Sequence, residues 1–420
     1  MTTMRLTTTS FKGYDRRVWI LFVGRMVGAA GFSVVMPFLA IYLHDKIGVP
    51  MSYVGLIFLA SSATGAVGQI LGGEIADKFG RKNVMALAQG TRAVIFVIIS
   101  VVIATQMDFI LIAVLIICSS LVGNIFEPAS NAMIADVVGP GKRLEAYSLL
   151  RIGVNIGWAL GPLVGGFLAA VSYSSLFLLT AVTSGTVALI MTLAVEESMR
   201  KGGPREGFSF RDLGRIRRNK RFVFFCAMSF LLFIVVAQMS TTYSVFSNDV
   251  VGVSEIEIGY LYTINGALVV FLQLPMARYL TKFRMSSVIA SGAVVYAAGY
   301  FLVAFAQDFM FLSFCMFVIT MGENITSPSS MNLVANMSPE KERGRYMGVF
   351  GLSTSFGYSL APFIGGVLLD ITVGMPILLW GIVASFGIVS ALGFLQMGRS
   401  LPGELDRVNA TISKDEEGKS

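Results

Sequence analysis

Twelve long apolar runs constrain the fold of this chain more than any other feature. They lie near residues 18–42, 52–75, 83–104, 109–135, 145–170, 173–195, 222–246, 257–280, 286–305, 309–335, 346–369 and 373–397. Each run is long enough to cross about 30 Å of hydrocarbon as a helix. Only 14% of the 420 residues are charged and 55% are hydrophobic, which excludes a soluble domain of this size. The sequence therefore predicts an all-α membrane protein with twelve transmembrane helices.

The Lys and Arg residues predict the orientation of these spans. Of the 32 basic residues, 28 lie in the N-terminal segment, the tail and alternate loops, whereas the intervening loops contain Lys46 alone. Because cytoplasmic loops carry an excess of bases, we expect both termini to be cytoplasmic in a multi-pass protein of the cell (inner or plasma) membrane. The same distribution explains the net charge of +7, so we expect a lipid bilayer around the protein and no nucleic-acid partner.

The segment 196–221 separates the runs into two sets of six. Its Gly, Pro and alternating charges are typical of a cytoplasmic linker with one short surface helix. Many residues recur between the sets at offsets of 204 and then 200: Gly55 with Gly259, Gln69 with Gln273, Pro128 with Pro328 and Gly166 with Gly366. We predict two pseudo-symmetric six-helix bundles, 1–195 and 222–398, joined by the linker 196–221 and followed by a disordered cytoplasmic tail, 399–420.

A polar cluster, Gly72–Lys82, lies between the second and third runs. Its glycines permit close packing and a sharp turn, and Asp77 and Arg81 place opposite charges within reach of each other. The cluster resembles the loop 2–3 signature of the major facilitator superfamily of secondary transporters, although Glu74 stands where that signature is more often apolar. The alternative is a basic anchor that keeps this loop cytoplasmic.

The resemblance implies a conformational switch in which Arg81 bridges two acids. Its residues would be Gly73, Asp77, Gly80, Arg81 and Asp136. In the family that the chain resembles, the substrate site lies between the two bundles near mid-membrane. The second half has Thr281 and Met285 in place of Asp77 and Arg81, so the charges are not needed merely to build the fold.

The fifth run has glycines spaced four residues apart, followed by Pro and a Gly pair. They are Gly157, Gly161, Pro162, Gly165 and Gly166. Bare backbone on one helix face lets a neighbouring helix pack closely, and the proline bends the helix. The pattern resembles the span-five signature of proton-coupled drug antiporters, the bacterial multidrug efflux branch of the superfamily, and plain small-residue packing is the alternative. The Arg-x-x-Gln-Gly sequence of these antiporters is absent from span four, which removes their usual proton-relay residue.

Charged residues inside the runs are candidates for proton coupling. They are Arg25, Arg92, Glu127, Arg151 and Glu323. Such residues are costly in hydrocarbon and commonly functional, and structural ion pairs are the alternative. Glu127 and Arg25 lie at similar depths, roughly 15 Å from the cytoplasmic side at about 1.5 Å per residue. We expect Glu127, buried and facing Arg25, to carry the proton, with Glu323 as its competitor.

Met, aromatic and amide side chains in four spans are candidates for a cavity that accepts varied lipophilic ligands. They are Met26, Phe32, Met36, Asn124, Phe233, Gln238, Tyr243 and Asn324. Core or lipid-facing packing is the alternative for any one of them. One histidine, and three cysteines that all lie in apolar runs, provide no metal, haem or disulfide pattern. There is no phosphate-binding loop, and we expect no cofactor and no enzyme activity.

These features favour a monomeric, proton-driven exporter of lipophilic small molecules that works by alternating access. Two other functions stay open. One is a proton symporter or facilitator for a metabolite or lipid, and the other is a membrane-embedded sensor or scaffold that no longer transports. The intact pair of Asp77 and Arg81 and the intramembrane carboxylates argue against the sensor.

Overall fold

The computed structural model describes residues 14–106, 108–139, 142–198, 218–339 and 342–407. Within these ranges the chain forms helices joined by turns, without strands. Twelve helical segments are long and apolar enough to cross a membrane, so the predicted all-α, twelve-span architecture is confirmed. Residues 199–217, which make up most of the predicted linker 196–221, and the end of the tail lie outside the described residues.

The helices follow the apolar runs closely. The first six spans are built from α1 (Arg16–Ile41), α2 (Met51–Phe79), α3 (Arg81–Ala104), α4 (Phe109–Gly123), α5 (Phe126–Val137), α6 (Arg143–Val171) and α7 (Tyr173–Ala194). The last six contain α8 (Lys220–Val236), α9 (Glu255–Leu280), α10 (Met285–Val303), α11 (Phe309–Met337), α12 (Arg343–Ile371) and α13 (Pro376–Ser400). The seventh span continues beyond α8 through short helical turns to Val250.

The fourth span is broken into two helices, where the sequence predicted one continuous run. Helix α4 ends at Gly123, and α5 begins at Phe126. Pro128 lies in the first turn of α5, where its missing N–H cannot continue the hydrogen bonding of α4. The break places Glu127 in the first turn of a helix rather than in the middle of one, and Pro128 was the sequence signal for it.

The chain forms two compact units that differ from the predicted bundles. The first contains the described residues of 1–33, 63–161 and 174–203, and the second contains those of 34–62, 162–173 and 204–420. The second unit therefore includes parts of α1, α2 and α6. The domain boundaries drawn from the linker position stay a prediction.

Each unit has its own core. In the first, buried apolar side chains from α1, α3, α5, α6 and α7 pack together, among them Val18, Met85, Met133, Leu150 and Met191. In the second, the rings of Tyr296, Tyr300 and Trp380 stack with centroids 6.4 and 5.6 Å apart. These stacked rings are at most 2% exposed, so α10 and α13 are held together by aromatic packing.

The chain after α13 is folded through residue 407, so the prediction of a disordered tail is wrong for this segment. Asp406 is 0% exposed, and its carboxylate accepts from Arg284 Nε at 3.0 Å and from the Ser286 N–H at 2.7 Å. Asn336 of α11 donates to the Leu405 carbonyl at 3.1 Å. The segment therefore caps the start of α10. Polar composition predicted disorder because no local pattern reveals a partner so distant in sequence.

Candidate functional site

Arg81 lies at the centre of a charged network where α2 meets α3. Its guanidinium is 2.6 Å from Asp77 Oδ1 and 3.2 Å from Asp136 Oδ2, and it donates to the Ala76 carbonyl at 2.9 Å. Arg81 is only 6% exposed, so removing both acids would leave a poorly solvated charge. The bridging geometry is present, and its role as a conformational switch stays a prediction.

The chain just beyond α7 joins this network through residues that the sequence did not point to. Glu197 accepts from the backbone N–H of Arg81 at 3.0 Å and of Lys82 at 3.1 Å. It therefore caps the free amides at the start of α3, where the helix dipole also favours an anion. Ser198 donates to Asp136 Oδ2 at 3.0 Å. The sequence feature that could have indicated this contact is the acidic residue directly after the sixth span.

The two glycines predicted to belong to the switch have different surroundings. Gly80 has a φ of 93°, which residues with a side chain rarely adopt, and a Cβ there would collide with the Glu197 carboxylate. A Cβ on Gly73 would meet nothing within 4 Å, whereas one on Gly72 would lie 2.8 Å from the Ile125 backbone. The fold therefore requires Gly80, and Gly72 rather than Gly73 provides the close helix contact.

Arg25 and Glu127 face each other across α1 and α5. Arg25 Nη1 is 3.7 Å from Glu127 Oε1, and the same guanidinium donates to Ser130 Oγ at 3.2 Å and to Asn131 Oδ1 at 2.9 Å. The Arg25 side chain is 11% exposed and that of Glu127 is 52% exposed. The expectation of a buried Glu127 is therefore wrong, because the helix break leaves this residue at an open first turn.

Arg92 is held by aromatic rings. Its guanidinium carbon is 4.8 Å from the Phe32 ring centroid and 5.3 Å from that of Phe96, and ring faces attract cations. Gly123 leaves space for it, since a Cβ there would lie 2.9 Å from the guanidinium carbon. Arg151 is exposed on α6. Among the described residues neither arginine has an ion-pair partner, and the role of both in proton coupling stays a prediction.

Glu323 has a neutral partner. Asn265 of α9 donates to Glu323 Oε2 and to Thr320 Oγ, each at 3.0 Å. Thr320 donates its own hydroxyl hydrogen to the Met316 carbonyl at 2.7 Å, so its oxygen accepts from Asn265 and orients the amide nitrogen toward Glu323. The sequence did not point to Asn265. Asn324, the expected neighbour of Glu323, instead donates toward a backbone carbonyl of α9 at 3.4 Å.

Two predicted cavity residues are packed in the core. Gln238 and Tyr243 are both 0% exposed. The Gln238 amide donates to the carbonyls of Ile234 and Ala361 at 3.1 and 3.2 Å, and the Tyr243 hydroxyl donates to the Leu312 carbonyl at 3.2 Å. Because the protein itself satisfies these groups, the packing interpretation is favoured for both.

The remaining cavity candidates are better placed to contact a ligand, with one exception. The half-buried ones are Met26, Phe32, Met36, Asn124 and Phe233. Asn324 is 0% exposed, and its carbonyl oxygen has no hydrogen-bond partner among the described residues. The role of this set in substrate binding stays a prediction.

The span-five glycines bring α6 against two other helices. Gly157 and Gly161 lie against α1, where the Ser33 hydroxyl donates to the Gly157 carbonyl at 3.1 Å. Gly165 also contacts α1, through Phe38, whereas a Cβ on Gly166 would lie 2.6 Å from the Glu255 carbonyl of α9. Close packing therefore accounts for these glycines, and Pro162 lies among them within the continuous helix α6.

The prediction that the chain has no metal site stays a prediction. His44, Asp45 and Asp249 bring possible ligand atoms within 4.8 Å of one another, and the His44 Nδ1 lies 2.9 Å from the Val49 carbonyl. Exposed acidic groups commonly gather in this way without an ion, so the cluster does not by itself indicate a metal centre.

Comparisons with known proteins agree with this architecture. The family model described as Major Facilitator Superfamily matches residues 21–254 and 229–413. The multidrug resistance protein MdtH of Klebsiella pneumoniae (strain 342) is 28% identical over 389 residues, covering 89% of this chain and 92% of that protein. A Na(+), Li(+), K(+)/H(+) antiporter of Planococcus maritimus is 24% identical over 423 residues, covering 92% of this chain and 96% of that protein. The crystal structure of the nucleoside transporter NupG is 17% identical with a TM-score of 0.75, covering 91% of this chain and 99% of that one; this likeness shows the fold.

Proposed function

Because the chain belongs to the major facilitator superfamily of secondary transporters, we propose that it exports lipophilic small molecules in exchange for protons by alternating access. It is a multi-pass membrane transporter and not an enzyme. The proposal extends this to a monomer in the cell membrane with both termini in the cytoplasm. The similarity to MdtH, whose name describes multidrug resistance, supports export of varied compounds.

The observation that carries the proposal is the pair of Arg25 and Glu127 inside the first and fourth spans. Arg25 is held by Ser130 and Asn131 as well as by Glu127. Its position therefore does not depend on the charge of Glu127. The carboxylate is exposed and lies 3.7 Å from the guanidinium, so a proton can reach it, and the arginine stabilises the charged form after the proton leaves. This fits a group that alternately binds and releases a proton.

Exchange then follows from competition at Glu127. A cationic lipophilic substrate that approaches the deprotonated carboxylate would oppose reprotonation, and a bound proton would oppose substrate binding. We place Glu323 second, because its partner Asn265 is neutral and supplies no charge to stabilise the carboxylate. In the same proposal the Arg81 network is the two-state element that differs between conformations.

A second candidate cargo is an alkali cation. The relative from Planococcus maritimus is named as an antiporter of Na(+), Li(+) and K(+) against H(+), and it matches nearly the whole chain. An exposed carboxylate can bind such a cation in place of a proton, so the same pair of Arg25 and Glu127 would serve.

Proton movement in inside-out vesicles tests the proposal. The purified protein is reconstituted with a pH-sensitive dye in an acidic lumen, and lipophilic cations or Na(+) are added to the medium. Antiport predicts that the lumen becomes more alkaline as the added compound enters. Acidification would indicate symport, transport without a pH change would indicate a facilitator, and absence of transport across a broad panel would favour the sensor.

A further inference from the structure

A residue of the second half caps a helix of the first. Asp370, next to last in α12, accepts the Met51 N–H through Oδ1 at 2.9 Å and the Ser52 N–H through Oδ2 at 2.7 Å. These residues begin α2, and the first amides of a helix have no partner within it. A carboxylate is a strong acceptor for such amides, so Asp370 joins two helices that are more than 300 residues apart in sequence.

Helix α2 lacks the means to cap itself. Val49 and Pro50 precede it, and neither side chain has an acceptor. The corresponding helix at an offset of 204, α9, begins after Ser254, whose hydroxyl accepts from the Glu257 N–H, while the Glu257 carboxylate accepts from the Ser254 N–H. Pro50 and Tyr53 occupy these two positions before and in α2. The capping box is therefore present in one half and missing from the other.

The corresponding residue of the first half cannot cap α9 in return. At an offset of 200, Asp370 corresponds to Ala170 of α6, which has no acceptor to offer α9. For the helix with its own cap, the position corresponding to Asp370 is thus an alanine, whereas the helix without a cap is bound by the aspartate. This pairing of a missing cap with an added acid indicates that Asp370 acts specifically on α2.

Two glycines set the register of the α2–α12 crossing. Gly366, one turn before Asp370, lies against the Met51 carbonyl, and a Cβ on Gly55, one turn into α2, would lie 2.5 Å from the Phe363 Cα. The backbones therefore approach without intervening side chains. Met51 is 1% exposed, so its amide is shielded from water, and Ser52 is half-buried.

We propose that Asp370 is a latch that holds the start of α2 to the end of α12, at the opposite end of α2 from the Arg81 network. The inference rests on the proposed function, since alternating access requires the two halves to part at this end in one state. Parting breaks both hydrogen bonds from Asp370 and uncaps α2 at the same time. Asp370 therefore sets the balance between the states in which this end is closed and open.

Distances between two spin labels test the latch directly. Labels are attached to Leu56→Cys in α2 and Val373→Cys after α12, both exposed positions, after Cys118, Cys226 and Cys315 are replaced by Ser. Distance distributions are recorded in lipid nanodiscs without substrate. We expect Asp370→Ala to raise the ratio of long to short distances about tenfold, equivalent to about 1.4 kcal/mol. Asp370→Asn keeps one acceptor oxygen and should give a smaller increase.

Two control variants separate the latch from capping in general. Ser254→Ala removes the cap of α9 and should leave the distances unchanged; an equal shift in this variant would overturn the latch. Pro50→Ser with Tyr53→Glu gives α2 the capping box of α9. Added to Asp370→Ala, it should restore thermal stability and leave the long distances populated. Recovery of the short distances by this internal cap would contradict the proposal.

The outcomes also separate the latch from the proposed function. Unchanged distances in Asp370→Ala would overturn the latch, whatever the vesicle experiments show. A shift toward long distances in a protein that exchanges no compound for protons would support the latch and overturn the proposed antiport.

Discussion

Two glycines of the predicted switch differ in their surroundings, although they are the same residue type. Gly80 and Gly73 are both in the predicted switch, yet Gly80 has a positive φ and lies against Glu197, whereas Gly73 has open space around it. The sequence motif alone could not distinguish them, because the backbone angle and the Glu197 contact arise only in the folded chain.

The two glycines give a matched pair of substitutions. We expect Gly80→Ala to destabilise the protein by about 1–3 kcal/mol, because the positive φ is strained for alanine and the Glu197 cap must move. Gly73→Ala lies within α2 and should be neutral or stabilising by about 0.5–1 kcal/mol. Thermal unfolding in one detergent compares both with the wild type, and equal melting temperatures for the two variants would contradict this account.

Asp77 tests whether the Arg81 network switches or merely anchors. In Asp77→Asn, Arg81 keeps Asp136 and the Ala76 carbonyl, so we expect normal expression and ligand binding but loss of transport. Expression is measured on gels, binding by ligand-induced thermal shift, and transport in vesicles. Wild-type transport rates in this variant would indicate that the Gly72–Lys82 cluster is only a topological anchor.

At the scale of helices, the apolar runs predicted where the spans lie, because hydrocarbon thickness sets a minimum length that is visible in one sequence. They did not predict the break before Glu127 or the caps made by Glu197, Asp370 and Asp406. These caps join residues 115 to 319 apart, and no periodicity within a helix reports such a contact. The candidate proton-coupling residues were visible in the sequence as charges inside apolar runs, whereas their neutral partners Ser130, Asn131 and Asn265 were not.

The segment after α13 gives a prediction at this scale. A chain that stops after Arg407 should unfold at the wild-type temperature, whereas one that stops after Leu401 loses the Asp406 cap. Asp406→Ala should also destabilise the protein, by about 1–3 kcal/mol, because it leaves the Ser286 N–H without its acceptor. Thermal unfolding distinguishes these chains, and a wild-type melting temperature after the Leu401 stop would show that the cap is dispensable.

For the whole molecule, we propose a proton-binding pair, Arg25 and Glu127, combined with two elements that respond to the conformation of the carrier, the Arg81 network and Asp370. Family membership and twelve spans establish a secondary transporter, and the internal repeat in the sequence anticipated two related halves. The repeat could not predict where the halves differ. Among the residues that the structure describes, the Arg81 network is present in the first half alone, and the capping box of α9 is replaced at α2 by Asp370.

Substrate transport by Glu127→Gln tests whether Glu127 carries the proton, because glutamine keeps the shape of the side chain and removes its titration. Accumulation is measured in vesicles with an imposed pH gradient, and substrate counterflow is measured without one, with Glu323→Gln as the matched variant. We predict that Glu127→Gln loses gradient-driven accumulation and retains counterflow, while Glu323→Gln retains both. Accumulation against a gradient by Glu127→Gln, together with its loss in Glu323→Gln, would contradict the account and make Glu323 the proton carrier.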